Sequence, residues 1–296
     1  MNAMFRIMFL GFLCFWGIIS SEAQNVRFPL PEVPIVLSSP ADKANYVALH
    51  YWDCFDFKDN SLIEEPEITE QGLVDFISLL AHVSEQKEAL AAFAHRMTVN
   101  SRIQAHFMEL SEHYLFDNFS PVYDEELYLL LVDELLKQSQ LPLAQRERLR
   151  YQRKWLLKNR VNRLATDFSF VQRSGKRMSL KEVKADYVLL YLNDPECGAC
   201  QQTKEALLQS DIIARWKDSG RMKILSVCTE GKTEGWKNIP APQGWIDGCD
   251  EQKHLLQEDL YDLRNLPAIY LLDAEKKILL KNAVVSRLEN YLEMSR

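Results

Sequence analysis

The 296-residue sequence contains no G-x-S-x-G nucleophile elbow, no P-loop and no G-x-G-x-x-G dinucleotide fingerprint, so hydrolase, ATPase and dehydrogenase chemistries have no foothold in it. It has no excess of positive charge: the net charge is −7, which favours solubility and gives no electrostatic reason to expect a nucleic-acid partner. Beyond a single C-x-x-C there is no second C-x-x-C and no H-x-x-x-H, so a four-ligand zinc site would lack half its donors. His106, Glu109, Glu112 and His113 crowd one helix without fitting H-E-x-x-H, and they read as surface or core residues. No apolar run reaches the roughly 20 residues that span a bilayer, and no strand pattern precedes residue 165.

The first apolar run that is present follows Arg6, from Ile7 to Ile19, and gives way to Ser20, Ser21, Glu22 and Ala23. Residues 1–23 therefore read as a secretory signal peptide cut near Ala23/Gln24, with an uncleaved anchor as the alternative. Phe12 and Leu13 are too large for lipid attachment at Cys14, which is expected to leave with the signal. Cys54, Cys197, Cys200, Cys228 and Cys249 remain, an odd number that implies an unpaired thiol or a bridge to another molecule. Export would place them where disulfides form and exchange, and no stable membrane span is expected after signal cleavage.

The length and the 47 % hydrophobic composition allow one or two domains, and a change of pattern along the chain argues for two. Pro29, Pro31 and Pro34 make residues 24–38 an extended lead-in. Ser39 as N-cap, Pro40 and Asp42 open a helix whose Val47, Tyr51 and Cys54 share a face, which predicts a buried Cys54. Thr69 is expected to cap a second helix with the stripe Leu73, Phe76, Ile77 and Leu80. Further helices are marked by Ile103, Phe107, Leu110 and Tyr114, and by Leu127, Leu130, Leu131 and Leu135. Pro142 opens a long basic helix ending near Arg160. From Arg146 to Arg163 there are eight basic residues and one acid, read as a solvated face with Trp155, Leu156 and Val161 turned inward rather than as a membrane-binding surface. Residues 39–163 thus form an all-helical domain.

From residue 164 onward the pattern alternates. Phe168, Phe170 and Val171 precede a turn at Gly175, and Tyr187–Leu192 suits a buried central strand. A helix from about Cys197 to Ser210, strands at Lys223–Cys228, Ala268–Leu272 and Ile278–Leu280, and a closing helix from Ser286 complete an α/β domain over 164–296. The fold class is α + α/β.

The segment Asn193-Asp194-Pro195-Glu196-Cys197-Gly198-Ala199-Cys200 lies where the central strand hands over to a helix. In the first turn, Cys197 meets unpaired N–H groups and the positive end of the helix dipole, which favour the thiolate and make it the attacking sulfur. Cys200, about one helical turn on, is placed to resolve the mixed disulfide. A zinc site or a merely structural local disulfide is the alternative.

These residues resemble the thioredoxin superfamily, over roughly residues 165–296. Thr166-Asp167-Phe168 looks like the opening motif of exported thioredoxin-like domains, and Asn265-Leu266-Pro267-Ala268 looks like the segment that carries the family's cis-proline. The resemblance implies a central mixed sheet flanked by helices, a cis Pro267, and substrate binding by Leu266 and Pro267. With the helical domain and its His50-Tyr51-Trp52-Asp53, the layout is similar to that of predicted periplasmic proteins of Bacteroidota, a resemblance that implies no function for the helical part. It departs from the family pattern at Glu196, often Trp, at Gly198-Ala199 instead of Gly-Pro, and at Tyr191, where thioredoxin has a buried acid. Proton transfer at Cys200 is left to Glu196, Asp194 or water.

The expectation is a periplasmic thiol-disulfide oxidoreductase without a bound cofactor, exchanging electrons with protein thiols and with an upstream donor. Glu196 beside Cys197, with Pro195, Gly198 and Ala199, is expected to modulate the site; a carboxylate there disfavours the thiolate and tilts the pair toward the reducing end. The alternatives are a binding or scaffold protein that merely uses the fold, or a disulfide isomerase. Cys228 and Cys249 read as two buried or half-buried thiols in preference to a second disulfide.

Overall fold

The computed structural model describes residues 28–295, so the signal-peptide expectation lies outside the described residues. Six helices come first: α1 (Pro40–His50), α2 (Pro66–Leu80), α3 (Gln86–Met97), α4 (Ser101–Phe116), α5 (Glu125–Leu136) and α6 (Leu143–Leu156). Their starts follow local chemistry. Ser39 caps α1, Asn100 caps α4, and the Asp124 carboxylate accepts the N–H groups of Glu126 and Leu127 at 2.9 and 3.0 Å to open α5. Pro66, not Thr69, starts α2; Thr69 sits inside the helix, buried, with its hydroxyl returned to the Glu65 carbonyl. The basic helix stops at Leu156, short of Arg160, because Leu157 closes the last turn and the chain then enters left-handed conformations at Asn159 and Asn162.

Cys54 is exposed, contrary to the sequence reading. α1 ends at His50, so the helical spacing that would have turned Cys54 inward is broken, and the turn buries Trp52, Phe55 and Phe57 instead. The basic stretch is solvated and ion-paired: Arg148 meets Glu112, Arg153 meets Asp133, Lys154 meets Asp259 and Arg160 meets Glu126. Among the described residues no helix is long and apolar enough to cross a membrane.

A seven-stranded mixed sheet follows, built from β1 (Ser169–Gln172), β2 (Arg177–Ser179), β3 (Tyr187–Asn193), β4 (Met222–Cys228), β5 (Ile246–Cys249), β6 (Ala268–Leu272) and β7 (Ile278–Leu280) in the order β2-β1-β5-β4-β3-β6-β7. β3, β4 and β5 run parallel, while β6 pairs antiparallel with β3. α7 (Gly198–Gln209), α8 (Asp211–Asp218), the short α9 (Glu234–Asn238) and α10 (His254–Gln257), and α11 (Val285–Met294) complete the chain.

Both faces of the central strands are covered, as their continuous apolar sequences require. On one face Leu189, Tyr191, Ile224 and Leu271 pack against Leu207, Ile213, Trp216, Leu288 and Leu292, side chains of α7, α8 and α11. On the other, Leu190, Leu225 and Tyr270 pack with Leu255 and Tyr261, and Val161 from the end of the helical half joins them. β5 was not foreseen, since Asp247-Gly248 inside it reads as a turn signal. Gly248 is there because the Phe170 ring lies against it: a Cβ at this position would stand 2.5 Å from Cδ2 of that ring.

Candidate active site

The site is assembled at the end of β3. Asn193 is buried, and its side-chain amide donates to the Tyr191 carbonyl at 3.1 Å, to Ser226 Oγ at 2.9 Å and to the Val227 carbonyl at 3.2 Å. These bonds tie the strand end to β4 before the chain turns. In the turn, Asp194 Oδ1 accepts the Glu196 N–H at 3.0 Å and the Asp194 carbonyl accepts the Cys197 N–H at 3.1 Å. Gln201, one turn into α7, donates back to the Pro195 carbonyl at 2.9 Å. Asn193 and Gln201 carried no sequence signal, because their importance lies in which carbonyls they meet in space.

Cys197 is the N-cap of α7 and its sulfur accepts the Cys200 N–H at 3.4 Å. It is partly exposed, whereas Cys200 is 2 % exposed. The two sulfurs are therefore chemically unequal although they are neighbours. Burial pushes the Cys200 thiol up to about 12, with the adjacent Cys197 sulfur and the Asp194 carboxylate adding to the rise and a main-chain hydrogen bond from Asp194 opposing it. Gly198 and Ala199 are exposed in the first turn, and beyond its chain neighbours and the helix's own backbone nothing lies within 4 Å of where a Gly198 Cβ would be.

Tyr191, at the position of the family's buried acid, donates its hydroxyl to the Cys200 carbonyl at 2.5 Å. Burial keeps this phenol far above its ordinary range, so it holds the start of α7 to the sheet and does not act as a base. Glu196 is exposed and its side chain lies over Gly235 at the start of α9, where an added Cβ would collide with Glu196 Cγ. The acid whose charge acts on Cys200 is Asp194. A small cleft is bordered by Asn193, Pro195, Cys200, Gln201, Ser226 and Trp236.

The peptide bond between Leu266 and Pro267 is cis. Because Leu192 pairs with Ala268 across β3 and β6, Pro267 faces the turn that leads to Cys197. Leu266 packs on the same apolar cluster as Cys197. The loop before Leu266 is fastened by Arg264, whose guanidinium forms two bonds with Asp262, at 2.8 and 2.7 Å, and lies over the rings of Trp155, Phe116 and Tyr151 from the helical half at 5.3, 5.4 and 5.8 Å. Nothing in the sequence pointed to Arg264.

A parallel-centred mixed sheet with both faces covered, a C-x-x-C at the strand-to-helix turn and a cis-proline at the start of the antiparallel partner strand define the thioredoxin-like class. Comparison with known proteins agrees. The chain is 33 % identical to a thioredoxin-like protein from Bacteroides caccae, over 91 % of this chain and 99 % of that one, with a TM-score of 0.78. It is also 34 % identical, over 46 % of its length and 98 % of the other's, to the C-terminal domain of an uncharacterized protein from Bacteroides fragilis, with a TM-score of 0.45. Residues 18–159 match the family described as a domain of unknown function, DUF5106. No curated protein matches the chain. The chain belongs to the thioredoxin-like family, and its N-terminal helices lie within the stretch similar to DUF5106.

Proposed function

We propose that this protein is a periplasmic thiol-disulfide oxidoreductase that reduces disulfides of protein substrates through Cys197 and Cys200. The observation that carries the reading is the inequality of the two sulfurs: a partly exposed one at the mouth of α7 and a buried one a turn below it, at the end of β3, whose partner β6 opens directly after a cis-proline. The apolar run Ile7–Ile19 and the small residues Ser21 and Ala23 support export.

In the reducing direction the Cys197 thiolate attacks one sulfur of a substrate disulfide, and the departing substrate sulfur takes up a proton. The Cys200 thiol then loses its proton, for which Asp194 and the cleft beside Pro195 offer the route, and attacks the Cys197 sulfur. The second substrate thiol leaves and a Cys197–Cys200 disulfide forms, so two electrons have passed to the substrate. An upstream dithiol donor restores the pair, and no bound cofactor enters the cycle. Leu266 and Pro267 border the approach to Cys197 and are the surface on which a substrate chain is laid. Glu196 adds negative charge beside Cys197, which makes the dithiol form the better electron donor.

The test is trapping. Cys200→Ser is expected to accumulate substrates as mixed disulfides on Cys197, released by dithiothreitol and lost when Cys197 is also replaced. A protein in which Cys200→Ser captures nothing beyond the double variant is not an oxidoreductase of this kind, and a reduction potential near that of strong periplasmic oxidants would overturn the reducing direction.

A further inference from the structure

Two cysteines of the sheet half take no part in the chemistry above. Cys228 ends β4 and Cys249 ends β5, and the two are register partners on adjacent parallel strands. Neighbouring strands lie about 4.8 Å apart, and register partners project to the same side of a sheet. A disulfide bridges Cα atoms about 4.4–6.8 Å apart, so this pair needs no backbone movement to be joined. Both are buried, 1 % and 0 % exposed, and Trp236 of α9 is the apolar side chain packed with them.

The surroundings distinguish the two sulfurs. The Cys228 thiol reaches the Gly231 carbonyl at 3.3 Å, in a tight loop that passes through a left-handed Gly231. The Cys249 side chain stands against it as its register partner on β5. The Cys249 bond is the largest of the effects that hold Cys228 below its ordinary range and push Cys249 above it. Two buried thiols set against each other at the ends of adjacent strands are what a dithiol that closes to a disulfide requires. A metal cage does not account for the pair, since among the described residues no three His, Cys, Asp or Glu side chains gather to hold an ion.

We infer that Cys228 and Cys249 are a second redox pair, a buried dithiol that closes to a cross-strand disulfide at the ends of β4 and β5. The oxidant is a disulfide. Cys228 attacks it and the first sulfur leaves as a thiol; Cys249 then attacks the mixed disulfide at Cys228 and surrenders its proton to the second leaving sulfur. One S–S bond is broken in the oxidant and one is made in the protein, with two electrons and two protons passing to the oxidant. The pair stands next to the proposed active site: Cys228 is the register partner of Asn193, and the Thr229 N–H donates to the Asn193 carbonyl at 3.0 Å.

The experiment uses the full chain with Cys14, Cys54, Cys197 and Cys200 all replaced by serine, so that its outcome is independent of the Cys197–Cys200 reading. The reduced protein is incubated with oxidised glutathione, quenched in acid, unfolded and alkylated with N-ethylmaleimide. The expected result is loss of both alkylatable thiols, a cross-linked Cys228–Cys249 peptide after non-reducing digestion, and no such link once Cys228→Ser is added. Two thiols that still alkylate in full, or sulfurs that each carry a glutathione, overturn the inference. Non-reducing peptide mapping of the otherwise unaltered chain after the same incubation decides the matter should the serine variant fail to fold: the Cys228–Cys249 link supports the pair, and its absence overturns it.

Discussion

The two halves of this molecule are held by different means and carry different chemistry. The helical half is organised around aromatic rings: Trp52 stacks on Phe93 at 4.7 Å and meets Phe28, Phe107, Phe55 and Phe76 edge-on at 5.0–5.6 Å. Its described cysteine, Cys54, is exposed. The sheet half is built on aliphatic strands and holds four cysteines, of which Cys200, Cys228 and Cys249 are buried. Cysteine is thus concentrated in one half, and the other half meets it at the loop before cis-Pro267. Rings of Phe116, Tyr151 and Trp155 surround Arg264, Lys154 pairs with Asp259, and Asn159 donates to the Leu260 carbonyl at 2.8 Å. The lesson is that the helical half bears on the sheet half through this loop, by position.

The largest way to break this comparison is Trp52→Ala, which removes the ring at the centre of the helical core. A loss of about 3–5 kcal/mol is expected from the urea midpoint followed by circular dichroism. A loss under about 1 kcal/mol would mean that the aromatic cluster does not organise this half. The interface comes next. Lys281, after β7, and Glu125, at the start of α5, form an ion pair at 2.5 Å with side chains only 3 % and 8 % exposed. Lys281→Met leaves the Glu125 carboxylate buried with only Tyr123 and Asn282 as donors, at a cost of about 3 kcal/mol. The same variant is expected to split one unfolding transition into two, because the halves then lose the charge pair that couples them; a single unshifted transition would refute the coupling.

The smallest effect sharpens the comparison most. Arg264→Ala is expected to cost only about 1 kcal/mol of stability, the scale of a partly buried cation–ring contact. It should nevertheless raise KM several-fold for a protein disulfide, leaving kcat and the reduction of a small-molecule disulfide nearly unchanged. Equal losses toward both substrates would show that Arg264 merely holds the fold.

What was legible in the sequence was whatever depends on near neighbours. The apolar run Tyr187–Leu192 became β3, the C-x-x-C arrived at the first turn of α7, and Leu266-Pro267 is the cis bond that the resemblance implied. Helix starts were read well where a cap was adjacent, as at Ser39, and badly where two candidates competed, as at Pro66 and Thr69. Cys54 was misread because its burial depended on whether α1 continued past His50, and the demand to bury Trp52, Phe55 and Phe57 decided that it would not.

Periodicity, caps and turn residues act over a few positions, so the sequence by itself determined most of the elements, their order and the spacing of Cys197 and Cys200, but not β5. Only the tertiary structure decided which distant residues share a strand pair or a ring cage. Strand register set Cys228 against Cys249 and Pro267 opposite the turn into Cys197, and the packing of two domains set Arg264 among three rings. Those choices rest on burial and hydrogen bonding summed over the whole sheet and interface, a balance that no local stretch of chain contains.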